Sequence, residues 1–294
     1  MRAAVVEVDA ERGRVERTLW LPFRAEWHSG PNADDEATRA AWSPQGVLVQ
    51  PTHTAIHYVC PQSWSVLESW SHPRLHNVHS AIPRASGGVV VSCAGSDEVL
   101  CFDAADRLER TWAIAGQRPE SDLRTFHHDA FKPHAAHPNC AWEHEGELWA
   151  TCFERQAAIS EAGRVLPATG IPHDGAPQAD GGWWFTEVQG VVRRHAPASA
   201  TATVRWDLQQ HAASPQRLGW CRGIWVGPET VVVGMSQLRA TTHREVARWL
   251  LQGERGRKRP TRLVELDRQT GAVRREIPVG NAHGGTIYGV VACP

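Results

Sequence analysis

The stretch GGVVVSCAGSDEVLCFDAADRLERTWAI, residues 87–114, decides the fold of this chain. A Gly-Gly pair precedes an apolar run at 89–93, and a second apolar run follows at 98–102. A turn with Asp at both ends, 103–106, leads into an alternating run at 108–113. Short apolar and β-branched runs separated by Gly and Asp turns are typical of antiparallel strands. The stretch therefore predicts three consecutive strands of one sheet.

The same pattern recurs along the chain with a period of about 40–50 residues, which is the period of four-stranded β-propeller blades. Further copies occupy 45–70, 146–166 and 181–208, and another begins at 229–238 and ends at 261–279. We therefore predict an all-β fold, a six-bladed β-propeller, as a single domain over residues 1–294.

The two ends of the chain complement each other. Residues 3–22 contain two strand-like runs without an opening strand, and residues 283–294 contain an opening strand without a blade behind it. Pairing of N- and C-terminal strands is expected to close the sixth blade. Seven blades are the alternative, if residues 23–44 contain further strands.

One segment departs from the β pattern. Residues 240–260 carry Val246, Trp249 and Leu250 at helical spacing and end at Pro260. This spacing predicts a helical insertion near 240–253.

Composition limits the partners of the protein. The 294 residues carry a formal net charge of −1 with histidine neutral, and 41% of them are hydrophobic. A balanced charge argues against nucleic acid and against an anionic membrane surface, since both select a basic face. No signal-peptide pattern or membrane-length apolar run is present, and no two of the seven cysteines form a C-x-x-C pair. We therefore expect a cytoplasmic protein with reduced thiols.

Histidine recurs at one position relative to the second strand of successive blades. His79 and His173 each lie fourteen positions before the end of that strand, and His137 lies fifteen positions before it. His283 begins the last strand, and Arg222 takes the corresponding place in the fifth blade. Because the loops before the innermost strands converge on the channel of a propeller, we expect these side chains to meet.

Converging imidazoles are what a transition-metal site needs. We predict metal ligation by His79, His137, His173 and His283, with His134 and His128 as substitutes from the same loop as His137. All-imidazole ligation favours iron, copper or zinc over magnesium and calcium, and Fe(II) is the preferred metal. The alternative is a ring of structural histidines that bind backbone carbonyls.

Three further residues are candidates for chemistry. The guanidinium of Arg222 would suit a substrate carboxylate, although an Arg that bridges loops would have the same surroundings. Glu187 and Asp174 would serve as a general base or would orient a histidine, and their alternative is a plain turn carboxylate.

The stretch WCRGIWVGPETVVVGMSQLRA, residues 220–240, resembles an uncharacterised family of bacterial β-propeller proteins. In that family an Arg-Gly-apolar segment is followed by a strand with the pattern Gly-(Leu/Met)-Ser-x-x-Arg. The matching positions are Arg222, Gly223, Gly234, Ser236 and Arg239. The stretch IPHDGAPQADGGWWFTE, residues 171–187, is similar to a Pro-His blade of the same family. The resemblance implies the propeller fold and no particular reaction.

Two other groups of propellers are analogies for the histidine pattern. Carotenoid-cleaving oxygenases hold iron with four histidines from separate blades, and the streptogramin lyase family uses a channel histidine with a divalent metal. We predict a metal-dependent enzyme, an O₂-dependent oxidoreductase with iron or copper that acts on a small anionic metabolite. The alternatives are a zinc- or manganese-dependent lyase or hydrolase, and a non-catalytic interaction module with structural histidines.

Overall fold

The structure is a computed structural model, and it describes residues 3–22, 27, 36–115, 121–127, 129–196, 199, 201–208, 219–237, 260–279 and 286–293. Its sheets are antiparallel, and strands adjacent in sequence are adjacent in space. Each sheet is therefore a meander, as expected for a propeller blade.

Five four-stranded blades follow one another in chain order, and each begins with its inner strand. The first blade contains β3 (Ala41–Trp42), β4 (Leu48–Pro51), β5 (Ile56–Cys60) and β6 (Ser65–Trp70). The second contains β7 (Val78–Pro83), β8 (Val89–Cys93), β9 (Glu98–Phe102) and β10 (Leu108–Ala113). The third contains β11 (Pro138–His144), β12 (Glu147–Cys152), β13 (Ala157–Ser160) and β14 (Val165–Pro167). The fourth contains β15 (Pro172–Pro177), β16 (Trp183–Glu187), β17 (Val191–His195) and β18 (Ala202–Asp207). The fifth contains β19 (Trp220–Val226), β20 (Thr230–Ser236), β21 (Arg262–Asp267) and β22 (Val273–Pro278).

Apolar side chains between adjacent blades form the core. Val90 and Val99 of the second blade pack in one cluster with Ala141, Leu148 and Ala150 of the third. Face-to-face packing of sheets explains why the second strands of the blades, such as β8 and β16, are buried along their whole length. The prediction of an all-β propeller is confirmed.

The closing blade differs from its prediction. Strands β1 (Ala4–Asp9) and β2 (Arg14–Trp20) form a two-stranded sheet, and the C-terminal segment (286–293) contributes no strand to a described sheet. The segment is held by individual contacts. The amide of Ile287 donates to the hydroxyl of Ser236 (2.9 Å), and the indole of Trp42 donates to the carbonyl of Ala292 (2.5 Å). The C-terminal segment thus lies between the first and fifth blades.

Several predicted features lie outside the described residues. These are the helical insertion near 240–253, His128 and His283, and most of the stretch 23–44 in which further strands were considered. In the part of the chain that the structure describes, no helix is long and apolar enough to cross a membrane.

A bulge in each of three inner strands positions the site. The pairing of β7 with β8 shifts at His79, that of β11 with β12 shifts at Asn139, and that of β15 with β16 shifts at His173 and Asp174. Asn139 is therefore the structural equivalent of His79 and His173, and His137 lies two residues earlier. Counting positions failed here because the hairpin of the third blade is one residue shorter. Asn139 lies thirteen positions before Cys152, whereas His79 and His173 lie fourteen positions before Cys93 and Glu187.

Candidate active site

Three histidines from three consecutive blades meet in the channel. The ring centroids of His79 and His137 lie 5.0 Å apart, and those of His79 and His173 lie 6.3 Å apart. His134 also joins the group, with its ring centroid 4.9 Å from that of His137. The expected convergence is observed, and His79, His137 and His173 are hereafter called the histidine cluster.

The carboxylate of Asp97 places His137 in the cluster. It accepts hydrogen bonds from the amides of Ala135 (2.9 Å), Ala136 (3.2 Å) and His137 (2.6 Å). His137 has a φ of 51°, in the left-handed region that non-glycine residues seldom adopt. The three hydrogen bonds to the Asp97 carboxylate hold this conformation. His137 therefore reaches the channel although it lies outside the bulge position.

Asn139 determines the tautomer of His79. The amide nitrogen of Asn139 donates to the carbonyl of Pro172 (3.0 Å), and this carbonyl can only accept. The amide oxygen of Asn139 therefore faces Nδ1 of His79, 3.0 Å away, and accepts its proton. Nε2 of His79 is left as the nitrogen with a lone pair. An outer residue that orients an imidazole in this way is typical of metal-binding and catalytic histidines.

His173 carries an unsatisfied nitrogen. Its backbone carbonyl accepts a hydrogen bond from the hydroxyl of Thr151 (2.8 Å), which anchors β15 to β12. Its ring atom Nδ1 is buried, and no residue in the described ranges forms a hydrogen bond with it. Buried polar atoms are nearly always paired, so this nitrogen is a candidate to bind a ligand.

Tyr288, from the C-terminal segment, completes the wall of the site. Its ring centroid lies 6.1 Å from those of both His79 and His173. Its hydroxyl donates to the carboxylate of Glu36 (2.5 Å). Burial raises the pKa of Tyr288 to about 12, so the phenol is protonated at neutral pH.

Arg222 brings a positive charge to the cluster. Its guanidinium lies over the ring of Trp220 (4.9 Å to the centroid) and over that of Tyr288 (4.7 Å). No carboxylate of the described residues forms an ion pair with it, and its Nε atom is buried without a hydrogen-bond partner there. The aromatic rings provide partial compensation through cation–π contacts.

The imidazoles of the cluster are neutral. Burial, the neighbouring histidines and Arg222 hold the pKa values of His79 and His173 well below their usual range. Burial and His134 lower the pKa of His137 to about 3. Neutral imidazoles have a lone pair available for a proton or a metal ion.

Asp174, a predicted catalytic residue, has partners within the protein for both of its carboxylate oxygens. Its carboxylate forms a buried ion pair with Arg39 and accepts hydrogen bonds from the amides of Ile224 (3.0 Å) and Gly175 (3.1 Å). Burial raises its pKa, although Arg39 and the amides act in the opposite direction. Its oxygens are thus occupied by donors from the first, fourth and fifth blades.

The same guanidinium contacts a thiol. Nη1 of Arg39 donates to Sγ of Cys140 (3.0 Å). Burial nevertheless raises the pKa of Cys140 to about 11, so the group is a thiol at neutral pH and a weak nucleophile.

Glu187, the other predicted base, forms hydrogen bonds with residues of its own blade and of the loop before it. Its carboxylate accepts hydrogen bonds from the amide of Thr169 (3.0 Å), from Nε of Arg193 (2.9 Å) and from the side chain of Gln189 (2.8 Å). Both of its oxygens have donors, and the structure does not place it against the histidine cluster.

The donors that the structure describes complete only part of the predicted metal site. The described ranges contain no group of three or more His, Cys, Asp or Glu residues placed to hold a metal ion. His79, His137 and His173 are close together, yet they do not form such a group by themselves. His283 and His128, two of the six predicted ligands, lie outside the described residues. Metal binding therefore stays a prediction.

Sequence reasoning missed Tyr288, Asn139 and Glu36. Asn139 could have been found only by recognising the bulge. Tyr288 lies five positions after His283, in the stretch that was predicted to contribute a ligand to the site.

No family model matches the chain, and no curated protein matches it. Among solved structures, it is similar to a protein of unknown function from Bacteroides caccae, with a TM-score of 0.64, 12% identity, and coverage of 97% of this chain and 93% of that chain. It is also similar to virginiamycin B lyase from Staphylococcus aureus (TM-score 0.55, 11% identity, 94% and 77% coverage). A streptogramin B lyase structure gives a TM-score of 0.56 at 10% identity, with 96% and 78% coverage. These similarities define the class of the chain as a β-propeller, and at such identities they extend to the fold alone.

Proposed function

We propose that this chain is a lyase-type enzyme that binds a small anionic metabolite in its channel and removes a proton from it at the histidine cluster. The observation that carries the proposal is Arg222, a cation without a carboxylate partner among the described residues, beside neutral imidazoles. The fold similarity to streptogramin B lyase supports the lyase class over the oxidoreductase class.

Arg222 is suited to the anion for a physical reason. A partly buried cation without a counter-ion is costly, and a bound carboxylate or phosphate would offset this cost. The planar guanidinium can form two parallel hydrogen bonds to such a group. A ligand held there would lie against His173 and Tyr288, because Tyr288 contacts both the guanidinium and the histidine.

His79 is the proposed proton acceptor. Its Nδ1 proton is held by Asn139, so Nε2 has the lone pair. The low pKa keeps this imidazole neutral before the substrate binds, and a nearby anion would raise its pKa and strengthen it as a base.

The reaction is an elimination that balances without an external reagent. Nε2 of His79 takes a proton from the carbon next to the carboxylate, and the electrons of that C–H bond form a C=C bond. The bond to the leaving group on the next carbon breaks, and the departing atom takes a proton from solvent. The Tyr288 hydroxyl keeps its hydrogen bond to Glu36 and forms the wall of the site beside the substrate. Loss of the proton from His79 to solvent restores the base.

The residues of the proposed elimination act without a metal ion, and the described donors do not complete a site for one. The predicted oxidoreductase with iron or copper, or a zinc- or manganese-dependent lyase, would require His283 or another ligand in addition to the cluster. A bound metal would supply polarisation of the carboxylate, or O₂ chemistry if it were redox-active.

The experiment is a thermal-stability screen with small carboxylates and phosphates, followed by assay of β-substituted acids for the ultraviolet absorbance of a new conjugated double bond. We expect stabilisation of the wild type by one class of anion, because a ligand that binds only the folded state stabilises it by mass action. Arg222→Gln should abolish this stabilisation, and His79→Ala should abolish turnover while anion binding is retained.

His144→Ala is the matched control, since His144 packs against Trp183 outside the cluster. Equal stabilisation of the wild type and Arg222→Gln by every anion would refute the proposal.

A further inference from the structure

The closing blade has no second strand among the described residues. In the other five blades this strand lies between the inner strand and the third strand, and its four to seven residues are mostly or entirely buried. In the closing blade β1 and β2 take the places of the third and fourth strands, and the C-terminal segment lies on the channel side. No described residue lies in the place between them.

A cavity of about 510 Å³ occupies that place. It is hereafter called the strand slot. Packed interiors contain few voids larger than a water molecule, so a space of this size between two blades is an exception. Two of its walls are apolar faces of the neighbouring blades. Trp42 and Leu48 of the first blade line one side, and Val232 and Leu263 of the fifth blade line the other.

The remaining two walls of the strand slot are formed by β1 and by the C-terminal segment. The lining includes residues 4–8 without a break, and it includes all eight described residues of the C-terminal segment. Successive side chains of a strand point to opposite faces of its sheet. An unbroken run of lining residues therefore indicates that the backbone edge of β1, and not one of its faces, borders the slot.

The hydrogen bonds of β1 show which of its backbone groups face the slot. The amide of Leu21 donates to the carbonyl of Ala3 (3.0 Å), so the backbone of Ala3 is turned towards β2. Because hydrogen-bonded and non-hydrogen-bonded pairs alternate along an antiparallel ladder, Ala4 and Val6 direct their N–H and C=O groups away from β2. In the described ranges β1 pairs with β2 alone, so these groups border the slot without a ladder partner.

We propose that the strand slot is a docking site for an extended segment of another polypeptide, which is added to the closing blade as its second strand. A row of unpaired N–H and C=O groups along a strand is a template for a further strand. Side chains on the two faces of the added strand would pack against the first and fifth blades, as those of β8 and β16 pack in their own surroundings. This docking site does not depend on the proposed reaction in the channel.

The walls of the strand slot define the chemistry of the partner. A strand that is buried on both faces needs a continuous apolar run, and β-branched residues suit it best. Glu7 is the one charged side chain among the described residues that line the slot, and Arg17 pairs with its carboxylate. Its negative charge favours lysine or arginine at the end of the added strand and repels acidic residues. The partner segment is thus an apolar run of about five residues with a basic flank.

The test is fluorescence anisotropy of the full chain with a labelled peptide that carries the β20 sequence TVVVGMS (residues 230–236) between two pairs of lysines. This sequence is the second strand of the fifth blade, and the lysines keep the peptide soluble. We expect saturable one-to-one binding. A version with N-methylated alternate amides keeps every side chain and loses donors of the ladder. It should bind at least about tenfold more weakly.

Two variants locate the binding on the chain. Val6→Pro removes an N–H donor from the slot edge of β1 and leaves its ladder with β2, since proline is tolerated where the N–H of an edge strand is unpaired. It should weaken binding about tenfold. Val232→Trp should fill the slot and abolish binding, and it keeps the test valid if Val6→Pro does not fold. Val273→Trp is the matched control, because Val273 is exposed on β22 and is not among the residues that line the slot.

Three results would overturn the proposal. Equal affinity for the N-methylated peptide would mean that the slot is an apolar pocket and not a site of strand addition. Binding that Val232→Trp leaves unchanged would mean that the peptide binds elsewhere. Absence of binding would mean that the slot is filled by a second copy if the chain sediments as a dimer, and by the chain itself if it sediments as a monomer.

Discussion

Nδ1 of His79 lies 3.0 Å from the amide oxygen of Asn139, which occupies the position in the next blade where a third histidine was expected. At this position the neighbouring blade thus supplies an amide that orients His79, and it does not supply another imidazole. A propeller can build a site in this way because equivalent positions of adjacent blades face one another across the channel.

Replacing Asn139 tests this arrangement. Asn139→Ala should lower the free energy of unfolding by about 1–3 kcal/mol, since it leaves the Nδ1 proton of His79 and the carbonyl of Pro172 without partners. In ¹⁵N NMR spectra the ring of His79 should change from the Nδ1-protonated tautomer to a mixture. Asn139→Asp keeps the acceptor for His79 and should retain the tautomer. A wild-type spectrum in Asn139→Ala would contradict the assignment.

The buried ion pair of Arg39 and Asp174 should be strongly coupled. Asp174→Asn leaves the guanidinium without its carboxylate in a site where Arg39 is about 9% exposed, and the expected loss of stability is about 3–5 kcal/mol. The double variant with Arg39→Met should lose less than the two single variants together. Urea unfolding of all four proteins measures the coupling.

An exposed ion pair provides the control for this double-mutant comparison of Arg39 and Asp174. Asp103 and Arg107 form an ion pair in a surface turn, and Asp103→Asn should change stability little because water screens the pair. Additive losses at Arg39 and Asp174 would show that the buried contact is not formed in solution.

Stability should fall in acid because of the histidine cluster. The pKa of His137 is about 3 in the folded chain and about 6.5 in an unfolded one, so the unfolded state binds the extra proton. His137 therefore reduces the free energy of unfolding by about 1.4 kcal/mol per pH unit as the pH falls from 6.5 towards 3. Above pH 6.5 it has no effect on the slope.

The measurement is urea unfolding between pH 7.5 and pH 4.5 after treatment with a chelator. His137→Gln should reduce the acid slope by roughly that amount per pH unit. An unchanged slope in His137→Gln would mean that this imidazole is not buried in the neutral form.

Metal content tests the predicted ligand set. Protein purified without a histidine tag and reconstituted with iron, copper or zinc should hold close to one equivalent if His79, His137, His173 and His283 bind a metal. His173→Ala and His283→Ala should each remove it, and His144→Ala should not. Less than a tenth of an equivalent of each metal would reject both the oxidoreductase and the metal-dependent lyase. Bound iron or copper would favour the oxidoreductase, and bound zinc would favour the lyase.

The sequence by itself determined the propeller. Runs such as Val89–Cys93 and Glu98–Phe102, with Gly and Asp turns between them, define strands through local preferences that need no distant partner. The repeat of this pattern also indicates which loops converge, and it thereby predicts that His79, His137 and His173 meet.

Only the tertiary structure decided what those residues do. The bulge at Asn139 places an amide against His79, and hydrogen bonds to Asp97 bring His137 to the same ring; neither feature leaves a trace in the apolar pattern. The surroundings of Asp174 depended on Arg39, which is 135 residues away in sequence, whereas Glu187 is bound by Arg193 of the adjacent strand β17. Pairings between residues far apart in sequence are made by packing of the whole ring, and this is why Arg222 is without a carboxylate partner among the described residues while the acids that seemed available to it are bound elsewhere.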